Sequence, residues 1–435
     1  MNSRSETTRA EWIASLRSAP VLRHLSDAQL GGLLDDGEVR TFADGAVMAG
    51  EGTSACEAFL VVEGSCDVDG AGRRERLDAP ALVGEIAALS GTPTLATVRA
   101  VGGTTAVAVG RDRFLAAIRS SAAAGQELTT IVADRLCAPG SISRVGRFPV
   151  DGIVGEGGSG RVLRARHPLL GIPLALKMLS HVLALSADGQ RAFIREASLL
   201  VHLDHPGIVR VLDAFEAHGT YFIVMPWIEG ATLREHIDRR STFRAEQVLQ
   251  IAEETLDALT VLHAAGLVHR DVKPSNLLIR PSGRVVLIDL GIACQREASA
   301  PRRLVGSPAY CSPEQILGRP VDGRSDVYSL GCTLYELVFG RPPFERDDVD
   351  AVLEAHLRAT PSFDLPPVVP MGEPFARWLR RCMSRTRANR PDAAAARAEL
   401  RSLAPAPAIE RLAPRARVTV PMPVLLDDAD VSARV

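Results

Sequence analysis

Lysine is almost missing from this chain. Only Lys177 and Lys273 occur among its 50 basic residues, over a length of 435. Arginine supplies the rest, and a compact ammonium and a planar guanidinium are not interchangeable, so these two positions stand out. Paired cysteines are missing too. The seven cysteines are scattered with no Cys-x-x-Cys spacing, which reads as a reduced, cytoplasmic chain and excludes a disulfide framework. Cys294 and Cys311 are expected as small packing residues. No apolar run approaches the roughly 20 residues that a membrane span needs, and the polar start has no signal-peptide core. The net charge is only −2, so no excess of either sign draws the chain to nucleic acid or to a membrane surface. Nothing in the sequence sets an oligomeric state.

What is present is concentrated in residues 267–291. Here His269, Arg270, Asp271, Lys273 and Asn276 are followed by an apolar run at 277–279, a Pro-Ser-Gly turn at 281–283, a second apolar run at 285–288, and Asp289 with Gly291. Two short apolar runs around such a turn predict a hairpin that brings Asn276 and Asp289 together. Both offer oxygen donors, which suit Mg²⁺.

This ordered set resembles the catalytic loop and metal-binding loop of protein kinases. The resemblance implies that Asp271 accepts a hydroxyl proton, that Lys273 neutralises a phosphoryl oxygen, and that Asn276 and Asp289 hold Mg²⁺. Lys273 two residues after Asp271, together with Gly306 and Ser307, is similar to the serine/threonine branch of that family.

The stretch before it extends the resemblance. Gly155, Gly157 and Gly160 lie between two β-type runs. A dinucleotide-binding turn would need a helix directly after the glycines. A strand-like run follows instead, which favours a flap whose backbone N–H groups approach the phosphates of ATP. Val162 would then cover the adenine. Lys177 ends the run Leu-Ala-Leu-Lys, which looks like the family's Val-Ala-Ile-Lys, and would meet the α- and β-phosphates, with Ala175 also at the nucleotide. Glu196 shares a helix face with Phe193, Ala197 and Leu200, and an acid on an apolar face needs a partner; Lys177 is that partner. Met225, Pro226 and Ile228 fall in the hinge between lobes. The first hinge position gives its carbonyl to adenine, so a proline at 226 is tolerated, and Ile228 N–H is the expected donor. Leu278 is placed at the nucleotide as well. Glu314 is expected to pair with Arg390, and Asp326 to brace the backbone of the catalytic loop. Residues 292–305 contain only Ser299 as a phosphate acceptor, which predicts weak dependence on phosphorylation there.

Residues 40–109 differ in character. Short β-type runs alternate with glycine turns, which suits a small barrel or jelly roll. Two helical stretches follow, at 111–119 and about 123–136. Phe42, Gly45, Gly50, Gly64 and the segment from Gly84 and Glu85 to Val98 resemble the cyclic-nucleotide-binding domain. In that family the Gly-Glu pair meets the ribose, and an arginine just after the proline pairs with the cyclic phosphate. Thr94 stands in that slot, and threonine lacks the charged bidentate contact a buried phosphate needs. A cyclic nucleotide is therefore a doubtful ligand; a domain for protein contact and a different ligand stay open.

The expected architecture is multidomain. It has a disordered N-terminus (1–19), a β-barrel or jelly-roll sensor domain (20–138), a linker (139–147), a bilobal α+β protein kinase fold (148–402) and a disordered tail (403–435). The expected function is that of a bacterial-type serine/threonine kinase. It would act on protein substrates with ATP and Mg²⁺ under the control of the front domain. The alternative is a pseudokinase or ligand-binding scaffold signalling through protein contacts.

Overall fold

The computed structural model describes residues 3–54, 56–70, 73–137, 144–157, 160–289 and 307–403, without the side chains of residues 3–7, Arg73 and Glu196. Most of the expected linker, the segment carrying Gly291, Cys294, Ser299 and Gly306, and the tail from 404 onward lie outside the described residues.

The first residues depart from the expectation of disorder. Ser3–Leu16 is a helix, α1. Its Trp12, Ile13 and Leu16 share one face and pack into the core, Leu16 being fully buried. Burying that stripe outweighs the polar residues around it. Helix α2 (Asp27–Asp36) starts in a capping box: Ser26 Oγ accepts from Gln29 N, and the Gln29 side chain accepts from Ser26 N. An antiparallel barrel follows, made of β1 (Glu38–Phe42), β2 (Val47–Ala49), β3 (Glu57–Gly70), β4 (Arg73–Asp78), β5 (Ala81–Val83), the short helix α3 (Glu85–Ser90) and β6 (Thr97–Gly110). The strand order is β1-β6-β3-β4, with β2 on β6 and β5 on β3. Small residues fill the interior, among them Cys66, Ala100, Ala106 and Ala108 beside Phe59 and Val61. Helices α4 (Arg111–Arg119) and α5 (Ala122–Leu136) close the unit.

A second antiparallel sheet contains β7 (Arg144–Val145), β8 (Phe148–Gly157), β9 (Gly160–Arg166), β10 (Pro173–Leu179), β11 (Asp213–Ala217) and β12 (Thr220–Pro226), in the order β11-β12-β10-β9-β8-β7. Helices α6 (His181–Ala184) and α7 (Ala187–Leu200) follow β10. Arg144 and Val145, expected in the linker, instead pair with Pro149 and Phe148 as an edge strand, because Val145 gains a fully buried site.

The two faces of this sheet belong to two cores, as alternation along a strand requires. Ile223 and Met225 pack with Phe193, Ala197 and Leu200 of α7. The opposite face, with Leu163, Leu174, Leu176, Met178, Phe222 and Val224, packs with Leu128, Val132 and Leu136 of α5. The barrel's last helix thus covers the outer face of the second sheet. Thr129 of α5 ties the contact: its Oγ1 accepts from His181 N at 2.9 Å and lies 3.1 Å from His181 Nδ1. His181 is fully buried, and burial pushes its pKa down to about 4.

The remaining lobe is mostly helical: β13 (Ala231–Thr232), α8 (Leu233–Asp238), α9 (Ala245–Ala264), β14 (Leu277–Ile279), β15 (Val285–Leu287), α10 (Pro313–Ile316), α11 (Gly323–Phe339), α12 (Val349–Arg358), α13 (Glu373–Cys382) and α14 (Ala393–Leu403). Helix α11 runs through its centre and is buried over nearly its whole length. Glu314 and the buried Arg390 form a bidentate pair at 2.6 and 2.9 Å, and Ser325 Oγ donates to the same carboxylate. The Arg390 guanidinium holds the Glu314 carboxyl below its ordinary range against the burial that would raise it.

Candidate active site

The hairpin β14–β15 sets the spacing of the site. Leu277 pairs with Leu287 and Ile279 with Val285, and the turn closes at Gly283, whose φ of 84° suits glycine. Asn276 enters the hairpin and Asp289 leaves it. Ile288 N donates to Asn276 O at 2.9 Å, so the two oxygen-bearing side chains start from adjoining backbone.

The loop before the hairpin is braced from below. Asp326, fully buried on α11, accepts from His269 N at 2.9 Å, from Arg270 N at 2.7 Å and from His263 Nε2 at 2.8 Å. Arg270 has φ 66°, a left-handed backbone that costs energy for a residue with a side chain. The Asp326 contacts and a 2.7 Å hydrogen bond from Gln315 Nε2 to Arg270 O hold it there. Burial lowers the pKa of His269, against the nearby carboxylates of Asp326, Asp271 and Asp289 that work to raise it.

Asp271 projects from this braced turn. Lys273 Nζ lies 2.6 Å from its Oδ2, and Asn276 Nδ2 donates to its backbone O at 2.8 Å and to Oδ2 at 3.2 Å. Ser307 N donates to Asp271 Oδ1 at 3.2 Å, and Lys273 Nζ donates to Ser307 Oγ at 2.7 Å. The Asn276 amide nitrogen is thereby committed to Asp271, which leaves Oδ1 as an oxygen donor.

The opposite wall comes from β10. Lys177 points to the α7 side of its strand and forms an ion pair with Asp289. Burial works to raise the Asp289 carboxyl, and the Lys177 ammonium overrides it and holds the group below its ordinary range. Val162 pairs with Lys177, Ala175 with Met225 and Leu174 with Pro226 across the sheet. Ala175, Met225 and Ile228 pack in one core, and Leu278 lies against Gly230, just beyond Ile228. At Gly160 a Cβ would fall 1.8 Å from Met178 O, so the return of the flap onto β10 excludes every other residue. Gly155 pairs with Val162, and Gly157 with Gly160. The Glu196 side chain lies outside the described residues, so its expected pairing with Lys177 has no geometry here.

Asp289 and Asn276 present oxygen donors only, which fits a hard divalent cation. Among the described residues no group of three His, Cys, Asp or Glu side chains is arranged to hold a metal. A cation here would need further oxygens from a phosphate ligand, as such cations commonly do.

Gly84 and Glu85 lie apart from this cleft, at the start of α3. Gly84 has φ 77°, and a Cβ there would meet Glu57 O at 2.8 Å. Glu85 is buried and forms an ion pair with Arg135 of α5. Thr94 is buried as well. It is bonded through Oγ1 to Gly50 O, through N to Thr53 O at 3.0 Å, and through O to Gly52 N at 2.9 Å.

Sequence reasoning missed three features. One is the Ser307 hydroxyl under Lys273. Another is a half-buried cluster in which Arg234 Nη2 and Tyr310 Oη both meet the buried Glu336, at 2.5 Å each. The third is the seat of α5 on the sheet. Its signal was present: the run Leu-Ala-Leu-Lys-Met-Leu at 174–179 is apolar on one alternating face and, Lys177 apart, on the other, the mark of a strand covered twice.

Residues 148–399 match the model of the protein kinase domain, and residues 39–121 match that of the cyclic nucleotide-binding domain. The chain is 38% identical over 228 residues to the probable serine/threonine-protein kinase PknB of Corynebacterium glutamicum, covering 50% of this chain and 35% of that protein. It is 34% identical over 275 residues to the serine/threonine-protein kinase pkn3 of Myxococcus xanthus, covering 59% and 50%. With the serine/threonine-protein kinase PrkC of Bacillus subtilis it shares 36% over 221 residues, covering 50% and 34%. The chain thus spans between a third and a half of the length of these relatives.

Proposed function

Because the chain belongs to the protein kinase family, we propose that it transfers the γ-phosphate of ATP to serine and threonine hydroxyls of protein substrates. One observation carries this. Lys177 meets Asp289 although the two are 112 positions apart, Asn276 and Lys273 both meet Asp271, and the backbone bond from Ile288 N to Asn276 O sets the two groups side by side in the cleft. ATP would lie under the flap of Gly155, Gly157 and Gly160. Val162, Ala175, Met225, Pro226, Ile228 and Leu278 would surround its base, with Lys177 on its phosphates and Glu196 orienting Lys177. Asn276 Oδ1 and the Asp289 carboxylate would hold Mg²⁺, which when bound neutralises phosphate charge.

The chain's own residues account for the rest. Asp271 accepts the proton of the attacking hydroxyl through an oxygen that Asn276 and Lys273 already orient. Lys273 brings a positive charge to the transferred group, where charge stabilisation in a fixed site is worth most. Its contact with Ser307 joins that charge to the segment beyond residue 306, and the choice of serine and threonine rests on the resemblance of Lys273 and Ser307 to the serine/threonine branch of the family. The proposed setting is the cytoplasm, which supplies ATP; none of the six described cysteines forms a disulfide, and no described helix is long and apolar enough to cross a membrane.

The front domain regulates by contact in this proposal. Its ribose-side Glu85 is engaged by Arg135, and Thr94 is bonded to its own loop. Incubation with ATP labelled in the γ-phosphate tests the activity. Phosphoserine and phosphothreonine are the expected products. Phosphotyrosine as the main product, or nucleotide binding without transfer, overturns it.

A further inference from the structure

We propose that helix α5 of the N-terminal domain positions the nucleotide-binding flap, and that Thr130 is the positioning residue that does so, through Arg161. The inference rests on the nucleotide-binding part of the function proposed above. Arg161 lies on β9 directly across from Glu156 on β8, so it belongs to the flap itself. Its side chain is only 12% exposed, whereas Glu156 is 60% exposed. The guanidinium is therefore held beneath the flap and not in solvent. Nη1 meets Glu156 at 2.9 Å, and Nη2 donates to Thr130 Oγ1 at 2.6 Å. A charge with so little water around it depends on those two partners. Gln126, one turn earlier on α5, adds a longer contact: its Nε2 lies 3.5 Å from Gly157 O, and its Oε1 receives Ser180 Oγ at 3.4 Å.

Helix α5 can carry this load because it is fixed independently. Leu128, Val132 and Leu136 are buried against the sheet, and Arg135 is paired with Glu85 of the barrel. Gly155, Gly157 and Gly160 bring no side chains that could restrain the backbone of the flap. Tethering this strand pair to a rigid helix lowers the ordering cost that nucleotide binding must meet. ATP affinity is then set partly from the other domain, without any residue of that domain touching ATP.

The full chain with Thr130→Val keeps the shape of the side chain and removes the hydroxyl; Thr130→Ser restores it. Loss of one hydrogen bond to a charged group predicts a rise of about three- to tenfold in both KM for ATP and the calorimetric Kd for Mg-ATP. The kcat and the KM for protein substrate stay within about twofold, and Thr130→Ser behaves as the native chain. Arg161→Met removes the same bond from the flap side, so the double variant binds Mg-ATP no more weakly than Arg161→Met alone. Unchanged nucleotide affinity in Thr130→Val, an equal loss in Thr130→Ser, or multiplicative losses in the double variant overturn the proposal. The calorimetric titration needs no turnover, so absence of phosphate transfer would defeat the kinase reading while leaving this one measurable. If Thr130→Val fails to fold, Thr130→Ser and Arg161→Met decide the matter.

Discussion

Lys273 holds Asp271 and Ser307 at once, with its Nζ 2.6 Å from Asp271 Oδ2 and 2.7 Å from Ser307 Oγ. One ammonium thereby fixes the carboxylate of the proposed catalytic loop against the segment that follows residue 306. The first prediction comes from this bridge. Lys273→Ala should lower kcat by about a hundredfold or more, since a preorganised charge at the reacting group is lost, while KM for ATP changes little. Steady-state kinetics at saturating Mg-ATP check this, and a kcat near native contradicts it.

The outer face of the second sheet gives another. Removing residues 1–140 strips α5 and opens Leu163, Leu174, Leu176, Met178, Phe222 and Val224 to water. A contiguous apolar face of that kind promotes association. The shortened chain should aggregate or melt well below the full chain, with activity lost in parallel. A monomeric fragment with native kinetics would show that the front domain is dispensable.

Cyclic nucleotides should bind poorly. No charge stands at Thr94, and Arg135 already neutralises Glu85. Losing one charged pair in a desolvated pocket costs on the order of 2–5 kcal/mol, which moves a micromolar ligand to roughly millimolar or weaker. Calorimetry with cyclic AMP and cyclic GMP should show no tight binding, and kinase activity should not respond to either. A micromolar Kd would refute this.

Acid should weaken the seat of α5. His181 is neutral and fully buried, and its pKa in the folded chain is depressed to about 4. Above the ordinary value of about 6.5 neither folded nor unfolded chain binds the proton, and the stability is fully present. As pH falls from there toward 4, the unfolded chain takes up a proton that the folded chain refuses, so stability is lost by on the order of 3 kcal/mol. His356 on α12 acts in the same direction, being held down to about 4 by burial. Melting temperatures of the native chain should drop across this window, and His181→Gln should flatten the slope. Parallel slopes would remove His181 from the account.

Much of the site was legible because its groups sit close in sequence. The hairpin around the Pro-Ser-Gly turn follows from local turn chemistry, and the turn places Asn276 beside Asp289. The Asp326 brace and the Glu314–Arg390 pair were readable only through the resemblance, since pairs so far apart leave no local pattern. The helix at Ser3–Leu16 escaped notice because three large apolar residues, Trp12, Ile13 and Leu16, in a mostly polar stretch reveal nothing until their partner surface is known. The Arg135–Glu85 pair escaped for a related reason: surface arginines abound in this chain, and only the fold selects one.

The central claim is that Asp271 is the proton acceptor of a phosphoryl transfer. Its most direct test compares the native chain with Asp271→Asn, measuring label transferred from γ-labelled ATP alongside calorimetric Mg-ATP binding. The account predicts that transfer falls by orders of magnitude while nucleotide affinity and melting temperature stay near native. Robust phosphorylation by Asp271→Asn would contradict it.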